Sequence, residues 1–292
     1  MSFWTKLKAA LTGADETPAP ESRLEPVADP GLVDEAFEAA DAAARPTPAA
    51  APEQAAAHTP AAAPAHGPLW EDVYTSRHAW YQREVGVFPG DIMKMRSLFG
   101  VWPGGGLFAL PADRIEPGLW VYTTFGLTNP DMPATLTLST PEGDADAAPT
   151  LVAKPVQAFV PPPPGAAGYG YEFALVTRAP EQWPLWVLQW AANAELLDDA
   201  GLLHRVEDHG GVTVQDIEID DGRKVNLLIA KAGSPLPEGA TLPNGRMTLL
   251  VATVITDAEM RWSMNNGRPA LLERLVAAGH GQVSALSRSS VV

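Results

Sequence analysis

TLPNGRMTLLVATVITDAEMRWSMNNGRPALLERL, Thr241 to Leu275, holds the best-punctuated strand and helices of this 292-residue chain. Pro243 presets φ for the first corner of a turn, and Asn244-Gly245 tolerate the tight conformations that follow, so the chain reverses before Met247. Met247 to Ile255 is almost continuously apolar and partly β-branched, which suits a strand covered on both faces and places it in mid-sheet. Thr256-Asp-Ala-Glu259 has capping-box spacing, in which the hydroxyl and the carboxylate satisfy two orphan amides at a helix start. That helix runs to about Met264. Asn265-Asn266-Gly267 ends it, and Pro269 fits the first turn of a second helix whose apolar face is Leu271, Leu272, Leu275 and Val276.

The same periodicities extend upstream. Val212 to Ile219 and Val225 to Ala230 flank Asp220-Asp-Gly222, a strong hairpin signal. A helix is expected from Pro184 to Ala200, with Leu185, Leu188, Ala192 and Leu196 on one face, Trp183, Trp186 and Trp190 on an adjoining one, and Gly201 as its stop. Tyr169, Tyr171, Phe173 and Leu175 alternate as a half-buried strand does. Leu119–Leu127 reads as a strand with Ala134–Ser139 as its neighbour, and a short strand follows near Leu151 or Val156. Pro161–Pro164 must be extended and reads as a surface connection. Trp70 to Tyr81 has helical aromatic spacing, and Trp102-Pro-Gly-Gly-Gly106 reads as a turn.

Three blocks carry a family likeness: Tyr122-Thr-Thr-Phe-Gly126, then Gly170-Tyr-Glu-Phe173 followed by Trp183-Pro184 and its helix, then the turn, strand, Trp262 helix, Asn-Gly and Leu-Leu-Glu run of the opening stretch. Together they resemble suppressor-of-fused domains, as in a bacterial-type member. The resemblance implies a non-catalytic module that captures a protein or peptide, in part by extended-strand pairing beside a cleft. A Gly-Asp-His segment lines that cleft in the family. Here Asp208 and His209 match it, Glu207 stands for the glycine, and a family tyrosine on the preceding helix falls at Ala194, which implies a different specificity. With the acidic hairpin positions Asp216 and Glu218, these form the candidate partner-binding set. Bacterial-looking members act as immunity proteins that neutralise toxins, so that role is implied too.

Direct signs of catalysis are missing. Gly-x-Ser-x-Gly, His-Glu-x-x-His and a Walker lysine are all absent, so no catalytic, cofactor or metal residue is assigned and none of those groups is expected. His204 and His209 stand five apart with Glu207 and Asp208 between them, which is not the four-residue helical spacing of zinc sites. A hydrolase built around Asp208 and His209 is the weakest reading. The final Ser290-Val291-Val292 fits carboxylate-terminated peptides that add a strand to PDZ domains, a match that three residues make common by chance.

The formal charge of −15 argues against a phosphate-binding, nucleic-acid surface; it suits a basic protein partner and equally an acidity that only keeps the chain soluble. With no cysteine there is no disulfide or thiolate chemistry and no sign of an oxidising compartment, so a cytoplasmic location is expected. No apolar stretch approaches the length that spans a bilayer.

Composition divides the chain. Residues 1–13 place Phe3, Trp4, Leu7 and Leu11 on one helical face beside Lys6 and Lys8, an N-terminal docking helix too short to be stable alone. It needs a membrane surface, a partner or its own domain, and an anchored scaffold or adaptor is therefore the alternative function. Residues 14–68 are rich in Ala, Pro and acidic residues with few large apolar side chains, a disordered tether with one helix expected from Asp29 to about Ala44. Residues 69–283 form the folded domain, and 284–292 a flexible tail. The expected fold class is α+β, a mostly antiparallel mixed sheet covered by helices in a sandwich like that of suppressor of fused.

Overall fold

The structure is a computed structural model that describes residues 67–88, 105–139, 150–155, 158, 160–220 and 222–292. The expected docking helix, tether and Asp29–Ala44 helix, and all but the last glycines of the Trp102 turn, lie outside the described residues. So do residues 140–149.

The chain enters through α1 (Pro68–Glu84), then β1 (Gly106–Pro111), β2 (Trp120–Phe125), β3 (Ala134–Ser139), β4 (Thr150–Pro155) and β5 (Ala166–Thr177). Two helices follow, α2 (Trp183–Leu196) and α3 (Leu202–His209), before β6 (Val212–Asp220), β7 (Arg223–Lys231), β8 (Gly239–Leu242) and β9 (Gly245–Ile255). The chain then forms α4 (Asp257–Asn266) and α5 (Arg268–Ala277). The main sheet runs β1-β2-β5-β9-β7-β6, with β8 paired to the start of β9. The expectation for the opening stretch holds: β9 is central, parallel to β5 on one side and antiparallel to β7 on the other. Its last residues, Leu249 to Ile255, are all buried, which is why no polar alternation marks it. Apart from β5–β9, every strand pairing among the described residues is antiparallel.

Alternation along the strands divides the core between the two faces. Tyr122, Tyr171, Phe173, Leu227, Ile229, Leu250 and Ala252 pack with α2 and α3 residues such as Leu188 and Val206. Their neighbours Val121, Ala174, Val176, Leu249 and Val251 pack instead with Val73, Trp80 and Tyr81 of α1. Leu228 and Ile255 join Met260, Leu271 and Leu275 under α4 and α5. The sandwich thus has helices on both sides of one mixed sheet, the α+β class expected.

Three local expectations are corrected. Ala134–Ser139 does not join β2; β3 pairs with β4 in a separate two-stranded sheet. The expected helix to Ala200 stops at Leu196, and Gly201 at φ 61° opens the separate helix α3, which carries Glu207–His209. The third concerns residues 284–292, expected to be a flexible tail. They are fastened: the backbone N–H of Ser284 donates to Val176 O (2.7 Å), its hydroxyl accepts from Val254 N (3.0 Å), and Arg288 and Val291 bond Glu259. Residues 283 and 284 bridge to β5 where β9 has parted from it.

Two buried carboxylates hold this arrangement together. Glu172, on β5, accepts from Thr124 Oγ1 (2.7 Å), Thr128 Oγ1 (2.6 Å), the N–H groups of Gly126 (2.9 Å) and Thr128 (3.1 Å), and Arg77 of α1 (3.3 Å). The Thr-Phe-Gly126 and Gly-Tyr-Glu172 blocks singled out in the sequence therefore meet at one carboxylate. The Arg77 guanidinium also donates to Thr128 and Asn129 and lies 4.0 Å from the centre of the Phe125 ring. At the other end of the sheet, Glu259 completes the capping box with Thr256 and accepts two charge-assisted bonds from Arg288, at 2.5 and 2.6 Å.

Candidate functional site

The Leu-Leu-His-Arg-Val-Glu-Asp-His sequence of α3 buries Leu202, Leu203 and Val206 and turns His204, Glu207, Asp208 and His209 outward. Gly210 ends the helix at φ 66°, and a Cβ there would stand 2.6 Å from Pro269 Cγ, so the turn into β6 is closed tightly against α5. Glu207 Oε1 meets Lys231 Nζ at 2.8 Å, tying the end of α3 to the end of β7. Asp208 is engaged by His204, Nε2 to Oδ2 3.2 Å, one helical turn back. All four side chains are exposed, so these pairs orient side chains more than they stabilise the fold.

β6 follows as the sheet's edge, paired with β7 on one side and with no strand on the other among the described residues. Val212, Val214, Ile217 and Ile219 are buried, while Gln215, Asp216 and Glu218 face solvent. The extra residue between Val214 and Ile217 is a β-bulge: Val214 pairs with Leu227 and Ile217 with Val225, leaving Gln215 and Asp216 against Asn226. Asp216 takes φ 58°, and its N–H donates to Asn226 Oδ1 (3.2 Å). Asn226 Nδ2 in turn donates to Asp257 Oδ1 (2.7 Å) at the start of α4. The bulge is therefore pinned through a side chain to the helix that caps the central strand.

The four candidate partner-binding residues thus form two groups. Asp208 and His209 sit on the last turn of α3; Asp216 and Glu218 lie along the edge strand, the latter about 20 Å from Val212 at the rise of an extended strand. Among the described residues no hydrogen bond or ion pair joins the two groups. Ala194, where the resemblance placed a tyrosine, is buried in the core under α2 and presents nothing to solvent. The Asn226 pin was missed. Its signal is present as a phase slip in Val212-Thr-Val-Gln-Asp-Ile-Glu-Ile219, where the apolar alternation skips one residue.

Nothing in this surface is arranged as a metal centre, since no group of three or more His, Asp or Glu side chains clusters to hold one among the described residues. No described helix is long and apolar enough to cross a membrane. The C-terminal Val291 packs beside Met260 and Leu275, and its N–H is held by Glu259 (2.9 Å), so the PDZ-type reading of Ser290–Val292 meets a segment already engaged.

Fold and surface define an α+β domain with one mixed sheet between helices and an open acidic edge. The profile of the suppressor of fused protein (SUFU) family matches residues 103–289, and the chain belongs to that family. No curated protein matches the chain. Among solved structures, one described as the Sufu-Fu complex is 17% identical with a TM-score of 0.44, over 77% of this chain and 92% of that one. Drosophila Suppressor of Fused is likewise 17% identical, with a TM-score of 0.37, over 64% of this chain and 42% of that one.

Proposed function

We propose that this chain is a non-catalytic binding module that takes a basic, extended segment of a partner protein along β6. The observation that carries it is the open edge of β6, which displays Asp216 and Glu218 along the strand that follows the exposed acidic turn of α3. An edge strand offers main-chain donors and acceptors to an incoming strand, and its outward side chains select by charge. The bulge and a second shift at Ile219 leave Val212–Val214 and Ile217–Glu218 as the in-register stretches of the edge, so a partner engages one short stretch in register. Family membership supports a protein partner, a relative having been solved as the Sufu-Fu complex. The charge of −15 supports a basic one and speeds its encounter, as suits an immunity protein that neutralises a basic toxin.

The test is a titration of the isotope-labelled chain with an acetylated peptide of alternating Lys and Val, followed by NMR. Shifts confined to residues 207–219, weakened in Asp216→Asn/Glu218→Gln and by added salt, are expected. Asn keeps the left-handed conformation while removing the charge. Shifts elsewhere, or equal binding by the double variant, would overturn the acidic edge as the site.

A further inference from the structure

α2 carries a largely apolar outward stripe that the core uses only in part. Trp186, Trp190, Asn193 and Leu197 follow one another at four, three and four residues, which places them within a narrow arc of the helix. Trp190 is partly buried against the core. Trp186 and Leu197, however, are 45% and 48% exposed, although the neighbouring Val187 and Leu188 are fully buried. An indole left this open on a helix that is otherwise the most apolar in the domain marks a covered face rather than an ordinary surface position.

We propose that this stripe is the docking site, in cis, of residues 1–13 of the same chain, with Phe3, Trp4, Leu7 and Leu11 laid against Trp186, Trp190 and Leu197. Three features select that occupant. The segment has an apolar face of matching character, and at about three turns it cannot hold a helix in water without a surface to lie on. Its only charged side chains are Lys6 and Lys8, whereas α2 is bracketed by Glu181 before it and Asp198 and Asp199 after it, in a chain of net charge −15. The tether is also long enough. Residues 14–66 precede Gly67, the first described residue of the domain, and a flexible chain of that length would span about 40 Å, comparable to the width of a domain with a radius of gyration of about 17 Å. Tethering at that length gives a local concentration on the order of millimolar, so even a weak helix-to-helix contact is populated within one molecule.

The chain has no cysteine, so Ser2→Cys gives a single attachment point for a nitroxide in the full-length protein. With the isotope-labelled chain carrying this label, the amide and indole signals of residues 186–197 are expected to lose intensity, and reduction of the nitroxide restores them. Leu7→Ser/Leu11→Ser, and separately Trp186→Ser, are expected to abolish that loss without moving the thermal midpoint of the domain. A mixture of spin-labelled, unenriched chain with enriched, unlabelled chain is expected to show none. Intensity loss in the mixture reassigns the stripe to a second copy, and no loss in either sample overturns the contact. Vesicles containing phosphatidylglycerol are expected to leave the loss in place; its disappearance, with the nitroxide immobilised on lipid, makes the segment a membrane anchor and overturns the cis assignment.

Discussion

The Arg77 guanidinium lies 3.3 Å from the Glu172 carboxylate, 95 residues away in sequence, and both side chains are fully buried. The pair joins α1 to the strand on which the parallel pairing is built. Removing one partner strands a charge that cannot reach water. Arg77→Met and Glu172→Gln are each expected to cost about 3–5 kcal/mol, read from urea denaturation midpoints at constant m-value. The double variant should cost clearly less than the two combined. Strict additivity would show that the two groups do not act as a unit.

Glu259 gives stability its acid limit. Burial alone would raise its pKa, but the bonds from Arg288, Thr256 N–H and Val291 N–H outweigh that effect and hold the carboxyl below its ordinary 4.5. A lowered folded value means that the contribution is complete above 4.5 and is lost as pH falls through the folded value. The wild type is therefore expected to exceed Glu259→Gln in thermal stability at pH 7, with the gap closing in acid. A gap independent of pH would remove the ionised carboxylate from the account.

Glu195 has the opposite sign. Burial pushes its carboxyl up, and the Leu202 N–H bond at 2.5 Å and the neighbouring Tyr171 only partly offset this. A raised folded value gives stability that is fully present below the unfolded 4.5 and is lost as pH rises through the folded value. Glu195→Gln, whose amide oxygen still accepts from Leu202, is expected to gain on the wild type in paired melts over a pH range rising from 4.5. A constant difference over that range would contradict the buried ionisation.

The β6 bulge can be tested through its backbone. Asp216 sits in the left-handed region at φ 58°, where a β-branched side chain is strained. Asp216→Val is expected to cost about 1–3 kcal/mol, and Asp216→Gly nothing or a slight gain. Asn226→Ala, which removes the acceptor for Asp216 N–H and the donor to Asp257, should destabilise as Asp216→Val does. Equal melting of the Val and Gly variants would show that the bulge adapts.

The sequence was most legible where local chemistry and fold agree. Thr256 and Glu259 form the capping box that their spacing announces, and Met247–Ile255 is the central strand its unbroken apolar run demands. Legibility failed where a partner is distant. Nothing local in Ala134–Ser139 says that it pairs with Thr150–Pro155 rather than with β2, and nothing in Arg288 points to Glu259. The same holds for the site. The charges of Asp208, Asp216 and Glu218 were readable, but their separation onto a helix end and a bulged edge depends on Gly201, Gly210 and Asn226, whose effects are geometric.

The parallel pairing of β5 with β9 also sets the order of folding events. Tyr171 opposes Thr248, and everything between them, two helices and three strands, must be made before β5 acquires its inner neighbour. Until then β5, with Tyr171, Phe173 and Leu175 on one side and Ala174 and Val176 on the other, is an unpaired apolar edge. Such long-range closure slows folding and leaves the emerging chain prone to self-association. Slow synthesis of residues 178–244 would therefore lower the yield of soluble protein more than an equal delay after Ile255.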